Sequence, residues 1–144
     1  MAQRIPVIQL HGALVVSIQV ELSDELVFEL KDTIAAEICR RDVVGLVIDV
    51  SGVDVLDSFI SRAIQQIAQI ASLMGVQTIL SGLGAPIAMT LVEMGVSMRA
   101  VGCALNLEAA LASLEAHRTA ERLDLDALLG LTEESQDPGV GRVA

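Results

Sequence analysis

From Val44 to Val50 the chain runs almost without interruption through apolar residues, with Asp49 as the one charge. Such a run reads as a strand covered on both faces, the kind found in a sheet that carries helices. An acidic turn follows, from Ser51 through Asp54 to Asp57, and then a helix from about Ser58 to Met74. Ile60, Ala63, Ile64, Ile67, Ala71 and Met74 form the helix's inner stripe at 100° per residue. Ser58, Arg62, Gln65, Gln66, Gln69 and Ser72 take the opposite face, and Gly75 suits the position just past the end. This strand–turn–helix unit is the strongest constraint on the fold, and in α/β proteins the loops at strand carboxyl ends are where function collects.

The flanking segments extend the pattern. Ile5 to Leu10 and Ala13 to Val20 read as two strands joined at His11-Gly12, where glycine supplies the positive φ of a tight hairpin. Ser23-Asp24-Glu25 opens a helix whose apolar residues Leu26, Val27, Leu30, Ile34 and Ile38 recur at helical spacing, with Arg40 and Arg41 in its last turn. Gln77 to Ser81 is a further strand. Gly82, Gly84 and Pro86 break the pattern before a short helix from about Ala85 to Met94, which Gly95 ends. Ala100 to Leu105 reads as a short edge strand. Asn106 caps a final helix from Leu107 to about Arg118, with Leu107, Ala110, Leu111 and Leu114 facing inward. The order is an α/β layer fold: one mixed sheet, an N-terminal hairpin and about four helices.

Residues 1–118 are expected to form that domain and 119–144 an acidic C-terminal extension. In the extension Glu121, Asp124, Asp126, Glu133, Glu134 and Asp137 accumulate, and Leu123, Leu125, Leu128, Leu129 and Leu131 make one weak amphipathic turn or two. A loosely held tail is expected there.

Composition narrows the function. The chain is 144 residues long and 53% hydrophobic, yet Phe28 and Phe59 are its only aromatics, so the core must be aliphatic. A mean hydropathy of +0.62 points to apolar surface shared with other chains, hence a homo-oligomer or a larger assembly. No apolar run approaches the ~18 residues of a membrane span. A net charge of −10 with a single lysine, Lys31, argues against nucleic acid, which needs clustered cations. The charge fits either a basic partner surface or solubility alone. Cys39 and Cys103 are isolated, which fits a reducing cytosol, and the first residues hold no long apolar signal segment.

Enzyme chemistry finds little to stand on. His11 and His117 lack ligand-spaced partners, so no metal site is expected. Ser58 lacks the flanking glycines of a nucleophile elbow. The Gly82-x-Gly84 loop lacks a third spaced glycine and a phosphate-binding lysine. Asp49 or Asp54 near a strand end suggests aspartyl phosphorylation, but the lone lysine lies in the first helix, away from where such a site needs it. No cofactor is expected. Ser58 itself has two compatible readings. Either Asp57 caps the helix with Ser58 as its first residue, or Ser58 caps it directly, and in both the hydroxyl stays reachable by another enzyme. Phe59 sits at the edge of the inner stripe, as a core residue or as a partly exposed interface anchor.

Three segments carry a resemblance: Val47-Ile48-Asp49-Val50-Ser51, Val55-Leu56-Asp57-Ser58-Phe59-Ile60-Ser61-Arg62, and Gly82 to Gly95. From about Ile5 to His117 the chain resembles the STAS domains of the anti-sigma-factor-antagonist group, and within it the RsbS-like branch of the bacterial stressosome. The acidic extension departs from that branch's compact end. The resemblance implies a non-enzymatic cytoplasmic scaffold with Ser58 as phosphoacceptor. It implies an RsbT-like serine kinase held until Ser58 is phosphorylated, an RsbR-like paralogue in a large assembly, and a phosphatase that resets the serine. Asp54, Asp57, Phe59 and Arg62 are then the partner-binding residues, with Arg62 pairing either the phosphate or Asp57. The alternative is a free antagonist that binds an anti-sigma kinase directly; an enzyme whose turnover depends on Ser58 is the third reading.

Overall fold

The computed structural model describes residues 5–19, 21–95 and 101–130. Nine elements follow in order: β1 (Val7–Leu10), β2 (Ala13–Ser17), α1 (Asp24–Arg40), β3 (Gly45–Asp49), α2 (Ser58–Leu73), β4 (Gln77–Ser81), α3 (Ala85–Glu93), β5 (Val101–Ala104) and α4 (Leu107–Leu128). The strands form one five-stranded sheet in sequence order. β1 and β2 pair antiparallel, and every later pair is parallel. The expected mixed sheet, opening hairpin and four helices are therefore present. Ala100 and Val20, assigned to strands by their sequence pattern, lie outside the described residues.

The hairpin turn is tighter than one glycine requires. His11 has φ 52° and Gly12 φ 81°. Two consecutive positive φ values are the signature of the two-residue turn whose twist matches its flanking strands.

The apolar run of β3 is covered on both faces, and the strand period of two decides which residue goes where. Leu14, Val16, Leu46, Ile48 and Leu80 face a core built with α1 and α2, to which Val101 and Leu91 also belong. Ala13, Val15, Val47 and Ile79 face the other way, onto Ala110 and Leu114 of α4. Gly45 permits that second contact. A methyl group there would stand 2.4 Å from Leu114 Cδ2, so the small residue lets α4 seat against the sheet.

The helix ends follow their sequence signals. The Leu26 amide donates to Ser23 Oγ at 3.2 Å, capping α1. At the far end of α2, the amide of Val76 donates to Ala71 O and that of Gly75 to Ser72 O, with Gly75 at φ 80°. This pair of bonds is the glycine stop expected at Gly75. Met74, expected on the inner stripe, is instead the half-buried C-cap that follows the last helical residue, Leu73.

Contacts divide the chain into two units, Met1–Leu114 and Glu115–Ala144. In the second unit α4 continues to Leu128, past the end near Arg118 that the acidic composition suggested. The segment is rich in Ala and Leu, which favour helix. Glu115 pairs with Arg118 and His117 with Glu121 one turn apart, which adds support along its surface. Residues from 131 onward, where the loose tail was expected, lie outside the described residues.

Candidate functional site

The loop from β3 to α2 is built from its two ends. At the strand end, Asp49 turns its carboxylate back on its own loop. Its Oδ1 accepts from the Ser51 amide and its Oδ2 from Ser51 Oγ, both at 3.1 Å. Ser81 Oγ at the end of β4 also reaches Oδ1, at 3.5 Å. An aspartate bonding the backbone two residues on is a turn-forming device. The Val53 amide then donates to Val50 O at 3.0 Å and closes the turn.

Gly82 makes room for this arrangement. It has φ 79°, and a methyl group there would lie 2.7 Å from Ser51 Cβ and 2.9 Å from Asp49 Oδ1. The Asp49 network and the role of Gly82 were not anticipated from sequence. The Asp49-Val50-Ser51 spacing is the local signal for the first, while the second depends on a long-range approach that only the fold reveals.

At the helix end, Leu56 is 2% exposed and pins the loop to the core. Asp57 is the N-cap of α2: its Oδ1 accepts from the Ile60 amide at 2.8 Å. That settles the capping alternatives, leaving Ser58 as the first helical residue. Ser58 is exposed, and its hydroxyl has no hydrogen-bond partner among the described residues. Ser61, in the same turn, is the opposite case. It is 1% exposed, and its Oγ donates to Asp57 O at 2.8 Å. One serine is therefore presented and the other is spent on the fold.

The neighbours of Ser58 make a mixed surface. Asp54, Asp57 and Arg62 are exposed, Val55 is 72% exposed, and Phe59 is 37% exposed. Phe59 belongs to neither core cluster, so its ring is available at the rim. Arg62 forms no ion pair with a described residue, and the pairing with Asp57 is not formed. The first amides of a helix point outward without intrahelical acceptors and favour negative charge. The arrangement thus presents a free hydroxyl, a cation one turn away and a helix end that tolerates an anion, beside two carboxylates that oppose one.

Among the described residues, no group of three or more His, Cys, Asp or Glu is placed to hold a metal ion. No helix among them is long and apolar enough to cross a membrane. Asp49, a candidate acceptor for aspartyl phosphorylation, is engaged in the turn network instead.

Comparison with known proteins places this geometry. The STAS domain model matches residues 4–110. A solved structure of Moorella thermoacetica RsbS carrying S58E is 33% identical, covers 81% of this chain and 99% of that one, and superposes with a TM-score of 0.71. A chain from the molecular architecture of the stressosome, described as a signal integration and transduction hub, is 34% identical over 78% of this chain and 98% of its own, with a TM-score of 0.70. The RsbT co-antagonist protein RsbRB of Bacillus subtilis (strain 168) is 36% identical over 84 residues, 58% of this chain. The chain spans only 30% of the length of that relative. The anti-sigma factor antagonist SpoIIAA, at 14% identity and a TM-score of 0.61, shares the fold. On these matches the chain belongs to the STAS-domain family, as an RsbS-like member.

Proposed function

We propose that this protein is a non-enzymatic, phosphorylatable scaffold and antagonist in a stressosome-type assembly. It holds an RsbT-like serine kinase and releases it when Ser58 is phosphorylated, so regulating a stress response. The observation that carries this reading is the Ser58 hydroxyl, exposed at the first position of α2 and free of any partner among the described residues. Its similarity to RsbS and to a stressosome chain supports the assembly, and the name RsbT co-antagonist borne by RsbRB supports the kinase and an RsbR-like paralogue as partners.

The physics of the switch is local. Phosphorylation adds about −1.5 to −2 charges and three acceptor oxygens. The helix end accommodates them, while Asp54 and Asp57 repel them. Little refolding is needed: the surface changes sign, and a partner site shaped around a neutral hydroxyl must bury a dianion it cannot pair. Losing ~3 kcal/mol of binding weakens a complex about a hundredfold. In this scheme Phe59 anchors the kinase, Asp54 and Asp57 set its charge preference, and Arg62 orients the loop and meets the phosphate. A phosphatase returns Ser58 to its neutral state.

The test is incubation of the protein with the candidate kinase and ATP, followed by intact-mass and site-mapping spectrometry. One phosphoryl group on Ser58, absent in Ser58→Ala, is expected. Phosphoryl transfer to another residue with Ser58 untouched overturns the reading.

A further inference from the structure

Among the described residues the sheet ends at β1, whose outer side pairs with no other described strand. The two-residue turn at His11-Gly12 makes Leu10–Ala13 a hydrogen-bonded pair, and Ile8–Val15 is the next. The amides and carbonyls of Val7 and Gln9 therefore face away from β2. Beside this edge, between β1 and α1, lies a groove of about 530 Å³, within the ~300–1,000 Å³ typical of binding clefts. Val7, Leu26 and Leu30 supply its apolar surface, with Leu30 only 3% exposed. Glu29, Asp32 and Thr33 of α1 form its exposed rim.

We propose that this groove receives an extended segment of another protein, with apolar and basic side chains together on the face it turns toward α1, which joins β1 as a sixth strand. Three features select that occupant. The outward backbone groups of Val7 and Gln9 give an added strand its main-chain bonds, and alternate side chains of such a strand point to one face. On the face toward α1, apolar ones then lie over Leu26 and Leu30 and basic ones reach Glu29 and Asp32. Neither Glu29 nor Asp32 forms an ion pair with a described residue, and Lys31, the chain's sole lysine, is bonded to Gln66 instead. The rim therefore attracts cationic side chains and repels acidic ones. A second copy of β1 is a poorer fit, because Val7-Ile8-Gln9-Leu10 brings no cation to those carboxylates. Pro6, which has no amide hydrogen, limits the pairing to the residues after it.

The proposal is independent of Ser58 and is tested on the unphosphorylated full chain. Isotopically labelled protein is titrated with the blocked heptapeptide acetyl-Lys-Thr-Val-Thr-Val-Thr-Lys-amide, whose Lys and Val side chains share one face when extended, and separately with the same peptide carrying Glu in place of Lys, while NMR spectra are recorded. The basic peptide is expected to produce saturable shifts at the Val7 and Gln9 amides and the Leu26 and Leu30 methyls. The acidic peptide is expected to produce none. Glu29→Lys combined with Asp32→Lys, both at exposed positions, should weaken the basic peptide at least tenfold with the remaining spectrum unchanged. The absence of saturable shifts at Val7 and Gln9, or an equal response to both peptides, overturns the proposal. So do the same shifts produced by raising the protein concentration alone, which assign the edge to a second copy.

Discussion

At the scale of single residues, the account turns on a division of labour between Asp57 and Ser58. Asp57 holds the helix start through its bond to the Ile60 amide, whereas the Ser58 hydroxyl bonds to no described residue. Removing a capping aspartate costs about 1 kcal/mol, within a range of roughly 0.5–2. Asp57→Ala should therefore lower the chemical-denaturation midpoint with an unchanged slope, while Ser58→Ala should leave the midpoint where it was. A destabilised Ser58→Ala would mean that the hydroxyl serves the fold rather than a partner. Ser61 is the internal contrast: a serine of the same helix turn, buried and bonded to Asp57 O, out of reach of any outside enzyme.

At the scale of elements, the contact between β3 and α4 depends on a missing side chain. The methyl of Gly45→Ala would collide with both Cδ atoms of Leu114. Overpacking of this kind costs roughly 1–3 kcal/mol. The variant should melt at a lower temperature, and Leu114→Ala, which clears the space, should recover part of the loss when combined with it. Additive losses in the double variant would place the strain elsewhere.

Elements were legible where a local rule decided them. The apolar run from Val44 to Val50 implied cover on both faces, and the sheet has helices on both. Ser23 and Gly75 marked helix ends that the backbone bonds bear out. The length of α4 is harder to read: the acidic residues after Thr119 suggest loose chain, whereas Ala120, Leu123, Ala127 and Leu128 and the side-chain pairs one turn apart favour helix. At the site, Ser58, Asp57 and Arg62 were legible because strand, cap and helix period are all local signals. The fit of Gly82 against Ser51 and Asp49 was not, since it brings together the ends of two different strands.

At the scale of the whole molecule, STAS membership fixes the frame and the exposed apolar residues suggest how it is used. Val55 and Phe59 stand out beside Ser58, at a rim that also carries carboxylates. Apolar contact surrounded by charge is the composition of an interface that binds well and can still be turned off by one added anion. The proposed role makes this rim a latch whose state another protein reads. The most direct measurement compares the affinity of an RsbT-like kinase for the assembly formed with an RsbR-like paralogue, before and after stoichiometric phosphorylation of Ser58. The account predicts a large particle in both cases and at least about a hundredfold weaker kinase binding after modification, equivalent to ~3 kcal/mol. Unchanged kinase affinity on the phosphorylated assembly would contradict it.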